Sequence, residues 1–263
     1  MHASIVIPAY NCEKTIQNAL QSVSKSIDYC QGQLPDFMAE IILVVDGATD
    51  GTGTIAQVFA RDRGRCVIVV NPQNLGAGPA RNIGVRHASG DLIFFLDGDD
   101  IFFPEHIYTC VVRMQADPAL HWVQTKIRIA EPIHPGWLPL IENTVPFNIC
   151  VRRWVHDFIG GYPDAEVFKT CRCEDALYRR MLRSYFRGDR IDRETMQHFR
   201  YPGNALDRQM EKLQASPAAG ISVMTDEEKQ AMPQVRSYHQ KQTQKIVRQL
   251  AGWMSFLQET HAI

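Results

Sequence analysis

Three carboxylates lie close together at Asp97, Asp99 and Asp100, with Gly98 between the first two. They follow the apolar run of residues 92–96, which is typical of a strand buried on both faces of a sheet. Like charges this close repel each other unless a cation lies between them, and Mg²⁺ or Mn²⁺ takes oxygen ligands from one or two carboxylates. Gly98 allows the backbone to turn sharply, so both flanking side chains can reach one ion. The pattern indicates either a divalent-cation site or a solvated acidic turn.

Four apolar runs rich in β-branched residues predict the strands that position these carboxylates. They cover residues 4–9, 40–45, 66–70 and 92–96. The predicted helices between them cover residues 13–26, 55–63 and 80–88, with Asn11 as a candidate N-cap and residues 28–39 as a loop. Strands that alternate with helices imply an α/β fold with a mostly parallel sheet. Ligands of such sheets bind beyond the carboxyl ends of the strands, where Asp46, the 71–78 loop and residues 97–100 all fall.

The second half of the chain is predicted to mix strands with helices. Residues 122–129 alternate as in a half-exposed strand, and the four prolines of residues 131–146 indicate a loop. Further strands are predicted at residues 146–151 and 196–201, and helices at residues 152–158, 174–185 and 205–213. A capping box at residues 225–228 begins a C-terminal helix that Pro233 restarts or kinks. Its apolar stripe packs on the body or on a second copy of the chain, and it consists of Ile246, Leu250, Trp253 and Leu257.

Composition and charge exclude several classes of protein. The chain has 263 residues, 45% of them hydrophobic, which is enough for one large α/β domain with an appendage. The net charge of -1 gives no basic field for nucleic acid, and no apolar run approaches the ~18 residues of a membrane span. The N-terminus has neither the basic nor the apolar region of a signal peptide. Seven scattered cysteines without a zinc-type spacing are typical of a reducing compartment, so we expect a cytoplasmic location.

Four motifs in order resemble family 2 of the inverting glycosyltransferases, which have the GT-A fold. They are residues 5–11 (IVIPAYN), 44–52 (VVDGATDGT), 74–84 (NLGAGPARNIG) and 90–100 (GDLIFFLDGDD). A weaker similarity continues at residues 151–153, at residues 159–162, and at Glu174, Asp175, Leu177 and Arg180. The resemblance implies a Rossmann-like sheet flanked by helices. It also implies that the first half holds a nucleotide-sugar donor, by default a UDP-hexose, and the second half an acceptor.

The resemblance assigns donor-binding roles near the ends of the first two strands. Pro8, Ala9 and Tyr10 would wall the base and ribose, and Asp46 would accept hydrogen bonds from them. Glu13 would do likewise, or it begins a helix with a favourable dipole interaction. The family commonly has a second aspartate where this chain has Val45, a basic residue near Ala77 and an acidic one near Cys12, so details of donor binding differ.

Further donor contacts are implied around the third and fourth strands. Asn74 and Gly76 would shape a loop over the nucleotide, although a plain turn explains them nearly as well. Arg81 would supply a cation near the base or diphosphate, or it forms a salt bridge at the sheet edge. Asp97 and Gly98 belong to the family's D-x-D motif, in which Asp97 contacts the ribose or a metal-bound water.

The metal and the acceptor are assigned in the same way. Asp99 would bind Mn²⁺ or Mg²⁺ directly, with Asp97 and with His198 as a further candidate ligand, although a lone histidine is more often structural. Asp175 would be the general base, and Glu174 would support it or bind the acceptor. The alternative is that both acids only complement a helix dipole. Trp137 would stack on a sugar ring or anchor its loop, and Gly161 lies in the acceptor region.

The predicted organisation is one GT-A domain with an extension. Residues 1–130 would bind the donor, residues 131–222 would bind the acceptor and carry the base, and residues 223–263 would form a helical extension. The acceptor is a glycan, a lipid-linked sugar or a small molecule, and peripheral membrane association or a homodimer through the C-terminal helix is left open. A sugar nucleotidyltransferase would need a glycine- and lysine-rich loop after the first strand, which residues 8–12 do not supply. A catalytically degenerate binding module is disfavoured by intact Asp97, Asp99 and Asp175.

Overall fold

A single eight-stranded sheet organises the chain. The computed structural model describes residues 1–214 and 224–260, with side chains described as far as Trp253. The strands are β1 His2–Ala9, β2 Met38–Asp46, β3 Cys66–Asn71, β4 Leu92–Phe95, β5 Ile101–Phe102, β6 Trp122–Ile129, β7 Ile149–Arg152 and β8 Gly188–His198. The helices are α1 Ile16–Gln33, α2 Thr52–Arg63, α3 Ala77–His87, α4 His106–Ala116, α5 Leu138–Glu142, α6 Arg153–Ile159, α7 Val167–Cys171, α8 Glu174–Tyr185, α9 Ala205–Gln214 and α10 Asp226–Thr260.

The sheet is mostly parallel, which confirms the predicted α/β class. Its strand order is β3-β2-β1-β4-β7-β6-β8-β5. The pairs β1–β2, β2–β3, β1–β4 and β6–β8 are parallel, whereas β7 is antiparallel to both of its neighbours and β5 is antiparallel to β8. The ends of β1, β2 and β4 therefore meet at one edge, as expected from the alternation of strands and helices.

Apolar side chains cover both faces of the central strands. Ile5 and Ile7 belong to a core that includes residues of α1 and α4, while Val6 belongs to a second core that includes residues of α3, α6 and α8. This division follows from the two-residue period of a strand. Helix α3 lies very close to the sheet at Gly84, where a Cβ atom would be 2.3 Å from Val6 Cγ1. Glycine at this position lets α3 pack on β1.

Several predicted element bounds in the first half are wrong. Helix α1 begins at Ile16 rather than Glu13 and continues to Gln33, so part of the predicted loop is helical. Asn11 does not cap this helix. Its backbone φ is 46°, and its Oδ1 accepts a hydrogen bond from the Thr49 amide instead. The asparagine thus joins the loops that follow β1 and β2.

The second half differs from the predictions in several places. The proline-rich segment contains the short helix α5, and the short helix α7 was not predicted. Strand β6 is buried over its first four residues because β7 and β8 pair with it on both sides and the two cores cover its faces. Strand β8 begins at Gly188, well before the predicted strand at residues 196–201, and ends at His198. The predicted helices at residues 152–158, 174–185 and 205–213 correspond to α6, α8 and α9.

Helix α10 packs on the body of the protein. The predicted capping box is confirmed, since the Thr225 amide donates to Glu228 Oε2 at 2.9 Å and the Glu228 amide donates to Thr225 Oγ1 at 3.2 Å. The helix continues through Pro233. Ile246 is buried and Leu250 packs beside it in the second core. The side chain of Leu257 lies outside the described residues.

Among the described helices, none combines the length and apolar character that crossing a membrane requires.

Candidate active site

Arg81 of α3 lies at the centre of the site and joins two carboxylates. Its side chain is 1% exposed. Nη2 donates to Asp97 Oδ1 at 2.5 Å, and Nη1 donates to Asp175 Oδ1 at 2.8 Å. The guanidinium also lies over the Tyr162 ring, 5.1 Å from its centroid. The salt-bridge interpretation of Arg81 is thus what the structure shows, and direct contact with a nucleotide stays a prediction.

The Glu174–Asp175 pair opens helix α8, as the sequence predicts. Burial raises the pKa of Asp175 to about 7, although the positive charge of Arg81 opposes the shift. Burial also raises the pKa of Glu174. The Asp175 side chain remains 25% exposed, so an external group can reach it. A carboxylate with a pKa near neutrality can exist in ionised form and still accept a proton.

The carboxylates after β4 are crowded. Burial and the neighbouring charge of Asp97 raise the pKa of Asp99, whose Oδ2 accepts a hydrogen bond from Asn204 Nδ2 at 3.0 Å. Asp100 is fully buried, and burial raises its pKa to about 7. Its Oδ1 lies 2.8 Å from His198 Nδ1. Burial would lower the pKa of His198, but Asp100 and the two other aspartates raise it.

This donor set fits a hard divalent cation. Asp97 and Asp99 repel each other, and a cation between them would relieve that repulsion. In the part of the chain that the structure describes, no group of three His, Cys, Asp or Glu side chains is arranged to hold a metal. Protein carboxylates would therefore supply a minority of the ligands, and substrate phosphates and water the rest, as is usual for Mg²⁺. Since Asp100 engages Nδ1 of His198, Nε2 is the nitrogen left for a metal.

Asp46 holds the glycine-rich loop that follows β3. It is 2% exposed, and its carboxylate accepts hydrogen bonds from Asn71 Nδ2 at 2.7 Å, the Leu75 amide at 3.1 Å and the Gly76 amide at 3.0 Å. Asn74 Oδ1 also accepts from the Gly76 amide, at 2.8 Å. These contacts give Asp46 and Asn74 a structural role in shaping the loop. Their contacts with a nucleotide stay predictions.

The end of β1 carries the remaining predicted donor residues. Ala9 is buried, whereas Tyr10, the next residue along, is 50% exposed. Its ring is therefore accessible to a planar group such as a base. Glu13 Oε2 accepts a hydrogen bond from the Gly51 amide at 2.8 Å, so this carboxylate fixes the loop after β2. Glu13 lies before α1 rather than in it.

Two predicted acceptor residues have structural explanations. Trp137 is 8% exposed and packs in the first core, which supports its role as a loop anchor. Gly161 has φ 75°, and a Cβ atom there would lie 2.5 Å from Asn82 Oδ1. Asn82 in turn donates Nδ2 to the Tyr162 carbonyl at 2.9 Å and accepts from the Tyr162 amide at 2.8 Å. The glycine thus permits α3 to lie against the second half of the chain.

Sequence reasoning missed three residues at this site. Tyr162 stacks under Arg81, Asn82 joins α3 to the segment before α7, and Asn204 donates to Asp99. Asn82 belongs to the third motif and Tyr162 to the weaker similarity, so their positions in these motifs could have indicated both as site residues. Asn204 lies in a segment without a recognisable pattern, and its contact with Asp99 depends on tertiary packing.

The fold and the site together define an α/β protein with a carboxylate-rich binding edge at the carboxyl ends of its parallel strands. Residues 4–187 match the model of Glycosyl transferase family 2, which is more than two thirds of the chain. The chain therefore belongs to glycosyl transferase family 2.

Curated relatives of this chain are also named glycosyltransferases. Glycosyltransferase GlyA of Streptococcus pneumoniae is 31% identical over 120 residues, 44% of this chain and 16% of the relative. The uncharacterized glycosyltransferase EpsJ of Bacillus subtilis is 39% identical over 97 residues, 37% of this chain and 26% of the relative. The putative glycosyltransferase EpsE of Bacillus subtilis is 27% identical over 222 residues, 78% of this chain and 75% of the relative. The matched part of this chain spans less than a third of the length of the first two relatives, so it does not share their full architecture.

Solved structures share the fold. S. aureus TarS 1-349 in complex with UDP-GlcNAc has a TM-score of 0.63 at 20% identity, and the match covers 79% of this chain and 61% of that one. The mannosyltransferase PcManGT of Pyrobaculum calidifontis, in complex with GDP-Man and Mn²⁺, has a TM-score of 0.62 at 16% identity and covers 99% of this chain and 79% of that one. At these identities the likeness concerns the fold alone.

Proposed function

We propose that this protein transfers a sugar from a nucleoside diphosphate sugar to an acceptor hydroxyl, with inversion at the anomeric carbon. Asp175 is the general base in this proposal, and Asp97 and Asp99 hold Mn²⁺ or Mg²⁺. A UDP-hexose is the donor we expect, in line with the UDP-GlcNAc bound to TarS. A GDP-linked sugar, as in PcManGT, is the second candidate donor.

The observation that carries the proposal is the meeting of two acidic segments at one guanidinium. Asp97, at the end of β4, and Asp175, at the start of α8, both accept hydrogen bonds from Arg81. An inverting transfer needs a cation at the diphosphate and a base near the acceptor hydroxyl, within reach of one sugar. Two acidic groups on separate elements that converge across one side chain are suited to these two roles.

In this proposal, Asp175 takes the proton of the acceptor hydroxyl and Arg81 orients the Asp175 carboxylate. The acceptor oxygen forms a bond to the anomeric carbon, the bond from that carbon to the phosphate oxygen breaks, and the hydroxyl proton passes to Asp175. A pKa of about 7 suits this carboxylate to the task near neutral pH. Arg81 orients it through the 2.8 Å hydrogen bond to Oδ1. Asp97 and Asp99, with His198 as a further candidate ligand, would hold the divalent cation, which would neutralise the charge of the leaving diphosphate.

A screen of nucleotide sugars with Mn²⁺ tests the proposal. We expect one donor to raise the thermal stability of the protein, by about 2.7 kcal/mol when it is present at 100 times its Kd. The same donor should be hydrolysed slowly in the absence of acceptor, and chromatography of the released nucleotide measures that rate. If no nucleotide sugar either stabilises the protein or is hydrolysed, the proposed activity is wrong.

A further inference from the structure

Arg179 is a buried cation with no carboxylate partner among the residues that the structure describes. It lies one turn after Asp175 on α8, hence on the same side of the helix, and is 1% exposed. Its Nη1 donates to the Val145 carbonyl and, at 2.7 Å, to Asn148 Oδ1, which are both neutral acceptors. Nε and Nη2 are buried and have no partner within residues 1–214 and 224–260. A buried charge with unused hydrogen-bond donors is unfavourable in isolation. An anionic ligand that accepts hydrogen bonds from Nε and Nη2 would remove this cost.

Two further arginines extend the positive charge toward solvent. Arg183, one more turn along α8, donates Nη2 to Gln124 Oε1 at 2.7 Å and to Asn143 Oδ1 at 2.8 Å. The side chain of Arg190 in β8 is 54% exposed, and its Nη2 lies 3.8 Å from Glu142 Oε2. Among the described residues, Glu142 is the one carboxylate within salt-bridge distance of Arg179, Arg183 or Arg190. The cluster therefore carries more positive than negative charge.

We propose that Arg179, Arg183 and Arg190 form a subsite for an anionic group, a phosphate or a carboxylate, on the acceptor. The guanidinium fork presents paired N–H donors that match the oxygens of both anions. The proposal rests on the proposed function, because it places the anion near the acceptor hydroxyl that Asp175 would deprotonate.

The two ends of the subsite are partly exposed, whereas its centre at Arg179 is buried. Asp175, at the inner end, is 25% exposed, and Arg190 lies at the outer surface. Nε and Nη2 of Arg179 are closed off from solvent in this structure. An anion reaches them when the side chains around them move apart, whereas it can reach Arg190 directly. Binding should therefore engage the outer arginines first and Arg179 last.

Calorimetric titration of the full chain, with UDP and Mn²⁺ present to fill the donor site, tests the proposal. Inorganic phosphate, glycerol 3-phosphate and acetate are the probes, and their relative affinities separate a phosphate-bearing acceptor from a carboxylate-bearing one. We expect Arg179→Met and Arg183→Met each to raise the Kd of the preferred anion at least tenfold. Arg187→Met is the matched control, because Arg187 is 63% exposed and pairs with Asp117, and it should leave the Kd unchanged.

Three outcomes overturn the subsite. They are no binding of any probe, equal affinity in the wild type and both variants, and an equal loss in the Arg187→Met control. If Arg179→Met does not fold, Arg183→Met decides alone, since the Arg183 side chain is less buried than that of Arg179. Parallel titrations of UDP and of GDP with Mn²⁺ report on the donor site independently. Absent anion binding in the wild type with normal binding of either nucleotide rejects this inference only. Absent binding of both nucleotides with intact, Arg179-dependent anion binding rejects the proposed function only.

Discussion

Replacing Arg81 with methionine should make the stability of the protein depend strongly on pH above neutrality. Arg81 donates hydrogen bonds to Asp97 and Asp175 and is itself buried. Methionine preserves much of the side-chain volume but removes the charge. Asp175 then loses the cation that favours its ionised form, while the burial that disfavours that form remains.

The size of the effect follows from the pKa of Asp175. A neighbouring arginine usually lowers the pKa of an aspartate by about 1–3 units, so its removal should raise the value from about 7 to roughly 8–10. At pH values between 3.8, the ordinary pKa of Asp175, and its pKa in the folded protein, the folded protein holds one more proton than the unfolded chain. The free energy of unfolding therefore falls with rising pH, by about 1.4 kcal/mol per unit. Above about pH 7 the free energy of unfolding of the wild type levels off, whereas that of the variant should fall by about 1–2 kcal/mol more between pH 7 and 8.5.

Urea unfolding followed by circular dichroism, at half-unit steps from pH 6 to 9, measures this difference. Arg63→Met is the matched control, because it removes another arginine–aspartate salt bridge, with Asp28 at 2.5 Å, from a more exposed site. It should cost about 0–1 kcal/mol at every pH. In the double variant Arg81→Met/Asp175→Asn the additional pH dependence should disappear. Parallel pH profiles for the wild type and Arg81→Met would refute the electrostatic coupling between Arg81 and Asp175.

Three other predictions concern the proposed chemistry and its framework. Asp175→Asn should leave UDP binding intact and lower turnover by about 10² or more, and an unchanged rate would remove Asp175 as the base. Asp99→Ala should abolish Mn²⁺-dependent UDP binding, and EDTA should inactivate the wild type reversibly; activity that persists in EDTA would argue for a metal-free reaction. Gly161→Ala should destabilise the protein by about 1–3 kcal/mol in urea, because its φ is 75° and Asn82 occupies the Cβ position. Gly32→Ala in α1 is the control, because a Cβ there meets nothing within 4 Å, and it should stabilise the protein by about 0.5–1 kcal/mol. Similar effects of the two substitutions on stability would contradict this reasoning.

The parallel half of the sheet could be predicted because its strands are apolar on both faces and end at residues that break strands. The end of α1 could not be predicted so well. Its stripe of Ile16, Leu20, Val23 and Ile27 continues at Cys30, which is fully buried, but the residues around Cys30 are polar and suggested a loop. Helix α1 thus extends nearly two turns beyond Ile27, the last of its aliphatic stripe residues.

Strand β8 shows why a polar strand is hard to predict. The first half of this strand contains few apolar residues, so it shows no clear alternation of apolar and polar side chains, and it carries several charged side chains. The strand is stabilised by pairing with β6 and by cross-strand ion pairs, Lys126 with Asp192 and Arg128 with Glu194 at 2.9 Å. These contacts join residues far apart in sequence, so no local pattern reveals them. The short strand β5 pairs with β8 and was missed for the same reason.

The sequence indicated some residues of the candidate site, but it did not indicate the contacts between them. The motifs indicated Asp97, Arg81 and Asp175 as members of one site, and the structure brings all three together. The pairing of Arg81 with both carboxylates depends on how α8 docks against α3, which no motif encodes. Likewise, the motif that contains Asp46 suggested a nucleotide contact but not the hydrogen bonds that its carboxylate accepts from Asn71 of β3 and from Leu75 and Gly76 of the following loop.

Helix α3 explains why the third motif has its particular residues. Gly84 fits against Val6 of β1, so one end of the helix is held on the sheet. At the other end a Cβ on Gly78 would lie 3.1 Å from the Pro163 carbonyl and 3.2 Å from Glu174 Cγ, so that glycine admits the second half of the chain. Arg81 then forms its salt bridges between these two contacts. A rigid helix that touches both halves fixes the distance between the end of β4 and the start of α8. We infer that the proposed donor-binding and acceptor-binding halves unfold together, and that substitutions at Gly78 alter turnover through the position of Asp175 without removing any proposed catalytic group.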